Sequence, residues 1–374
     1  MSAPRIAIAA PRQDAWSETF IAAHMQRLRG VERILVDGEL PNRVVNGPLL
    51  LHRHGPGRIM DHVLAMAMGT DTQGLLRGRI ARLLRKERID VLLAEYGTCA
   101  AALAGPCHKA GVALVAHFHG VDAHKASTIE AAGGYRDLFA RAAALVVVSR
   151  AMEAQLIALG APKDKVIYNC YGIDATRFVA GDPEQAPPHF IAVGRFVDKK
   201  APHLTMGAFK RVLAVVPDAR LTMAGQGPLW ESCVQRVKAE GLGEHIDLCG
   251  LKGPDEIAGL MRGSRAFVQH SVRALSGDSE GTPLAVLEAM ATGLPVVATR
   301  HTGIGDVVAH GVNGLLCEEF DVATMAANLI ALAKEPARAG EMGRAGRAAV
   351  LEKHRVEDSI SRLQAVLEKA AGAR

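Results

Sequence analysis

His189-Phe190-Ile191-Ala192-Val193-Gly194-Arg195-Phe196-Val197-Asp198-Lys199-Lys200 begins as an apolar run of strand length and ends as a basic loop. A strand that empties into a glycine and fixed positive charge looks like the start of a βαβ unit, whose ligands sit at the strand's carboxyl end. The rhythm continues beyond it. Arg220–Ala224, His245–Leu248, Ala266–Gln269 and Pro295–Ala298 read as four more short strands with helical patterns between them. It has also run once before, through Ile6–Ala10, Arg33–Val36, Val91–Ala94, Val112–Ala116 and Leu145–Val148. Between the two series, Gly181-Asp182-Pro183-Glu184-Gln185-Ala186-Pro187-Pro188 has the polar, proline-rich composition of a linker. The expected architecture is α/β, with two doubly wound units over residues 1–180 and 181–354 that face each other across a cleft. Val356, Ile360, Leu363, Val366 and Leu367 lie at helical spacing, which predicts a closing amphipathic helix over 355–374.

Composition agrees with two ordinary globular units. The chain has 374 residues, 49% hydrophobic and 22% charged, enough for two real cores. A formal net charge of +5 with only 4% aromatic residues does not suggest nucleic acid as a partner. Cys99, Cys107, Cys170, Cys233, Cys249 and Cys317 are scattered, without metal-ligand spacing, and read as reduced thiols of a cytoplasmic protein. The apolar stretch after Met1 is too short for a signal peptide, and no run approaches the roughly 20 residues of a membrane span. The loop after the first strand lacks the Gly-x-Gly-x-x-Gly fingerprint, which weighs against a dinucleotide enzyme. There Ser17 reads as a helix N-cap, with Glu18 in the first turn.

The chemistry concentrates in Ser279-Glu280-Gly281-Thr282-Pro283-Leu284-Ala285-Val286-Leu287-Glu288. Pro283 suits a first helical turn, Leu284, Leu287 and Ala291 mark a buried stripe, and Gly293 with Pro295 ends the helix. Glu280 then lies in a loop and Glu288 about 7.5 Å along the helix at ~1.5 Å per residue, with unpaired N–H groups between them. Those groups suit a diphosphate, and the carboxylates suit hydroxyls of a sugar and a ribose at its two ends. A surface Glu on an ordinary amphipathic helix is the alternative reading of this run alone. Glycine loops follow two further strands, at Gly225-Gln226-Gly227-Pro228 and Gly250-Leu251-Lys252-Gly253. In the first half, Val112–Ala116 leads into His117-Phe118-His119-Gly120-Val121-Asp122, with His117 read as structural and His119 as functional. Asp122 either orients His119 or caps the next helix.

The ordered set Gly194–Lys200, Gly225–Pro228, Gly250–Gly253 and Glu280–Glu288 resembles the retaining glycosyltransferases of family four, of GT-B fold with two facing Rossmann-like domains. The Trp16–Phe20 segment is closest to bacterial polysaccharide- and glycolipid-assembly members. The resemblance implies that Arg195 and Lys200 bind the diphosphate, Glu288 the ribose and Glu280 the transferred sugar. It implies backbone N–H groups of Gly281 and Thr282 on the phosphates, Leu251 beside the base, and Gly194, Gly227, Pro283 and Leu284 completing the donor-binding set. His119 matches the histidine that such enzymes place against the donor sugar. Asp278-Ser279-Glu280 has the look of a metal-binding triplet, yet the resemblance implies neutralisation by Arg and Lys, with no metal and no cofactor. The implied activity moves a hexose from a UDP- or GDP-sugar to a glycan or glycolipid acceptor. A nucleotide-sugar 2-epimerase and a silent sugar-nucleotide-binding scaffold are the alternatives. Leu75–Arg88 crowds Arg77, Arg79, Arg82, Arg85, Lys86 and Arg88 around Leu76, Ile80, Leu83 and Leu84, which suggests either a helix packed on the sheet or peripheral contact with an anionic membrane.

Overall fold

The computed structural model describes residues 3–12 and 19–373. Ser17, Glu18 and most of the Trp16–Phe20 segment lie outside the described residues. Two compact units are present: Met1–Cys170 with Ser359–Arg374, and Tyr171–Asp358. The first closes at Cys170 rather than near residue 180. The 181–188 segment, expected as a linker, is packed within the second unit. The Gly181 N–H donates to the Thr292 carbonyl (2.8 Å), and Arg265 donates to the Ala186 carbonyl. The closing helix, Val356–Gly372, begins in the second unit and continues in the first. In the first unit it buries Ile360, Leu363 and Leu367, and Ser359 and Arg362 bond the 169–170 segment.

The first unit holds β1 (Ile6–Ala9), β2 (Val31–Val36), β3 (Arg43–Val44), β4 (Val91–Glu95), β5 (Ala113–His117), β6 (Ala144–Val147) and β7 (Val166–Tyr168). Their order is β3-β2-β1-β4-β5-β6-β7, parallel except for the β2–β3 pair. The second unit holds β8 (His189–Val193), β9 (Arg220–Ala224), β10 (Ile246–Gly250), β11 (Ala266–Gln269), β12 (Val296–Thr299) and β13 (Gly314–Cys317), in the order β10-β9-β8-β11-β12-β13. Central strands such as β1, β4 and β12 are buried along their whole length, which is why they read as continuous apolar runs. β3, β7 and β13 escaped the sequence reading; all three are edge strands, and β3 and β7, at two and three residues, are too short to carry a periodic signal.

Both sheets reverse direction once. In the first unit the chain returns to start a new wing between β1 and β4, and in the second between β8 and β11. Open α/β sheets bind ligands outside the carboxyl ends at such reversal points, because the following loops diverge there and leave a crevice. Among the described residues, no helix is long and apolar enough to cross a membrane.

Candidate active site

In the second unit three strand ends are tied together by backbone. The Gly194 N–H donates to the Ala224 carbonyl (3.0 Å), the Gly225 N–H to Gly250 (2.8 Å) and the Phe196 N–H to Gln226 (3.0 Å). Gly225 has φ +137°, and a Cβ there would overlap the Gly194 carbonyl oxygen, so close approach of the β8 and β9 loops requires glycine. Gly227 is pressed against the Phe196 backbone in the same way. Gly253 caps the helix Pro254–Arg262, and Leu251 stands exposed between it and β10.

Lys200 follows β8 and reaches across the reversal point to the last residue of β11. Its Nζ lies 3.2 Å from Gln269 Oε1 and 3.4 Å from Glu280 Oε1. Burial pulls its ammonium below the usual lysine range, while Glu280 opposes that pull. Glu280 is itself buried. Burial alone would raise its carboxyl, but the ammonium of Lys200, with that of Lys199, holds it below the ordinary value. The two residues expected at sugar and diphosphate are thus each other's counter-ion. Arg195 is exposed beside them.

Three further residues build this loop and were missed. Lys199, in the basic run but given no role, is buried and donates to Asp278 Oδ1 (3.0 Å) and to the Ser279 carbonyl (3.1 Å). It locks the acidic triplet in place, so Asp278 carries a lysine where a metal ion was to be considered. Behind Glu280, its backbone N–H donates to His301 Nε2 (3.2 Å), which therefore carries its proton on Nδ1 and gives it to Glu319. Nothing in the isolated letters His301 and Glu319 marks them, since both lie on separate loops.

The helix after the loop runs Leu284–Ala291, with Pro283 as its N-cap rather than in its first turn. Val286, Leu287, Ala289, Met290 and Ala291 are buried, so the expected single stripe is wrong: the helix is enclosed on most sides. Leu284, Ala285 and Glu288 are only half-buried. At i, i+1 and i+4 they share the remaining open face. Burial pushes the Glu288 carboxyl up to about 7, against Arg177 and Lys200. Gly281 and Thr282, leading into this helix, are buried.

In the first unit, Glu95 ends β4 and gathers three histidines. Its Oε1 lies 2.7 Å from His24 Nδ1, and its Oε2 lies 3.1 Å from His117 Nδ1 and 3.0 Å from His119 Nε2. Burial would raise Glu95, but the imidazoles of His24 and His117 hold it well below the carboxylate range. An ionised carboxylate only accepts, so each imidazole donates from the named nitrogen. Burial, with His117 beside it, pushes His119 down to about 3. Its ring lies 4.6 Å from those of Phe20 and Tyr96, the latter held at φ +70°. His24, Glu95 and His117 have the donor types of a metal site. The 2.7 Å separation is that of a hydrogen bond, whereas ligands at ~2.0–2.1 Å on a tetrahedral ion lie about 3.3 Å apart. Asp122 holds the backbone of His119. Its Oδ1 accepts the His119 backbone N–H (2.8 Å) and its Oδ2 that of Gly97 (2.6 Å), joining two strand-end loops. Glu95 and His24 were missed because a lone Glu ending a strand and a lone His in a helix carry no spacing signal.

Residues 36–172 match the family described as Glycosyl transferase 4-like domain, and residues 175–349 match Glycosyl transferases group 1. The amylovoran biosynthesis glycosyltransferase AmsK of Erwinia amylovora is 29% identical over 323 residues, 84% of this chain and 79% of AmsK. A GDP-mannose-dependent alpha-(1-6)-phosphatidylinositol monomannoside mannosyltransferase of Mycolicibacterium smegmatis is 26% identical over 332 residues, 85% of each chain. Among solved structures, Anabaena Alr3699/HepE in complex with UDP superposes with a TM-score of 0.77 at 16% identity, covering 98% of this chain and 100% of that one.

Proposed function

From a chain that is a GT-B glycosyltransferase, joining a glycosyl transferase 4-like domain to a glycosyl transferases group 1 domain, we propose a retaining, metal-independent hexosyltransferase of polysaccharide or glycolipid assembly. Its donor is a UDP- or GDP-sugar, and it works in the cytoplasm, with the basic helix Thr72–Lys86 meeting an anionic membrane. The observation that carries the donor assignment is the Lys200–Glu280 pair at the reversal point, beside the half-open Glu288 face. Lys200 and Arg195 would take the diphosphate, the 281–282 backbone its oxygens, Glu288 the ribose and Glu280 the sugar. His119 is assigned to the sugar by resemblance.

In the proposed reaction the acceptor oxygen bonds to the anomeric carbon on the face from which the phosphate leaves. The bond between that carbon and the phosphate oxygen breaks, and a phosphate oxygen takes the acceptor's proton. Lys200 and Arg195 stabilise the charge that develops on the leaving group. Asp278 and Glu280, the carboxylates a divalent ion would need, are engaged by Lys199 and Lys200. Activity should therefore survive EDTA. Complete inhibition restored by a divalent ion would end the metal-free reading. The test of the function is nucleoside diphosphate release that depends on an added glycan or glycolipid acceptor, with the product's anomeric configuration read by NMR. Acceptor-independent interconversion of the donor would point to an epimerase, and binding of UDP or GDP without turnover to a scaffold.

The two glutamates should separate in binding experiments. An ionised Glu288 accepts two ribose hydroxyls, and with its carboxyl near 7 it is mostly protonated at pH 6 and mostly ionised at pH 8. Nucleotide affinity should rise across that interval in the wild type. Glu288→Ala should bind more weakly by about 1.5–3 kcal/mol, the range for hydrogen bonds to a charged group, and lose most of the pH response. Glu280→Ala should keep near-normal nucleotide affinity, because Lys200 is then released to the phosphates, and lose turnover instead. Calorimetric titration with UDP and GDP at both pH values decides it. Equal losses of affinity in the two variants would overturn the assignment.

A further inference from the structure

The helix Gly55–Ala67 is built inside out. Its only buried residues are Asp61 and Ala65, while Ile59 and Met66 are 69% and 66% exposed and Met60, Val63 and Leu64 are also exposed. At 100° per residue, positions 59, 60, 63, 64 and 66 form one continuous face, and 61 and 65 form the opposite one. Met68, just past the end, extends the exposed face. What holds the helix down is polar. The Asp61 carboxylate accepts from Arg79 Nη1 (2.7 Å), from the His52 backbone N–H (2.8 Å) and from His52 Nδ1 (2.9 Å).

A soluble surface rarely leaves so many large apolar side chains together without an occupant. The charge around them says which occupant fits. Between residues 52 and 70 the only acid is Asp61, which is buried and paired, while Arg53 and Arg58 are exposed. The neighbouring helix Thr72–Lys86 buries Leu75, Leu76, Ile80 and Leu84, so its leucines are unavailable, but it exposes Arg77, Arg82, Arg85 and Lys86. We propose that the Gly55–Ala67 helix lies in the interface of an anionic bilayer, its apolar face among the acyl chains and the flanking arginines on lipid phosphates. This adds an apolar anchor to the electrostatic contact of the basic helix. It does not depend on the donor chemistry of the second unit.

The probe is a vesicle of phosphatidylglycerol and phosphatidylcholine, in flotation with the full chain. Wild type should bind at low salt and keep part of that binding at 0.5 M NaCl, where the Debye length has shrunk to roughly 4 Å. The quadruple variant Ile59→Ser, Met60→Ser, Val63→Ser, Met66→Ser should partition at least tenfold less at both salts, with an unchanged melting temperature and nucleotide-induced shift. In otherwise wild-type protein, an environment-sensitive dye on Ile59→Cys should shift to the blue on these vesicles, and the unsubstituted protein carried through labelling is the blank. Equal partition of quadruple variant and wild type, or a dye that stays water-like on vesicle-bound protein, overturns the proposal. A dimer in sedimentation that the quadruple variant turns into a monomer would assign the face to a second copy instead.

Discussion

Lys200→Ala should slow sugar transfer roughly 100- to 1,000-fold, the ~2.7–4 kcal/mol cost of losing one donor aimed at developing oxyanion charge. Lys200 sits at the upper end of that range for a structural reason. Its ammonium is half-buried, 3.2 Å from Gln269 and 3.4 Å from Glu280, so its charge acts where water screens it little. Arg195→Ala should cost less, since that guanidinium is exposed and already solvated. Lys200→Ala also strips Glu280 of its nearest counter-ion, and the carboxyl should then titrate higher than in the wild type. Single-turnover rates at saturating donor separate these effects from binding. A Lys200→Ala turnover within threefold of wild type would remove the residue from the proposed mechanism.

The largest loss of stability should come from Glu95→Ala. That change takes from three buried imidazoles, His24, His117 and His119, the one carboxylate that accepts from all of them. Removing one partner of a buried charged cluster costs about 3–5 kcal/mol, because the remaining groups keep their desolvation penalty and lose their compensation. Glu95→Gln should cost less, yet its amide N–H₂ meets an imidazole N–H, so at least one ring must change tautomer. Nitrogen-15 NMR of the ring nitrogens reads that change directly. The cluster should also make the protein acid-labile. His119 is held at about 3 when folded and near 6.5 when unfolded, so below pH 6.5 the unfolded chain binds a proton that the folded one refuses. Stability should fall as pH drops from 6.5 towards 3. Urea midpoints across that range check both claims, and a Glu95→Ala midpoint equal to wild type would show that the histidines do not need the carboxylate.

The strands at the centre of each sheet were legible because parallel strands buried on both faces must be apolar throughout. Phe190, Ile191, Phe267 and Val268 announce themselves without any neighbour. Gly225 and Gly227 were legible for a related reason: the backbone geometry there admits only glycine, so a local rule leaves a visible letter.

What needed the tertiary structure is every relation between residues that lie apart in the chain. Lys199 and Asp278 are 79 positions apart, His24 and Glu95 are 71, and neither pair has a spacing to read. The Gly55–Ala67 helix was missed because its apolar residues look like any core stripe in the sequence. Only packing shows that the Asp61 side turns inward, held by Arg79, and leaves Ile59 and Met66 to the outside. The sequence thus determined the buried central strands and the glycine-tied loops, through rules that act along the chain. The fold decided which charges meet and which apolar face stays uncovered, because burial and pairing depend on neighbours that only the folded chain brings together.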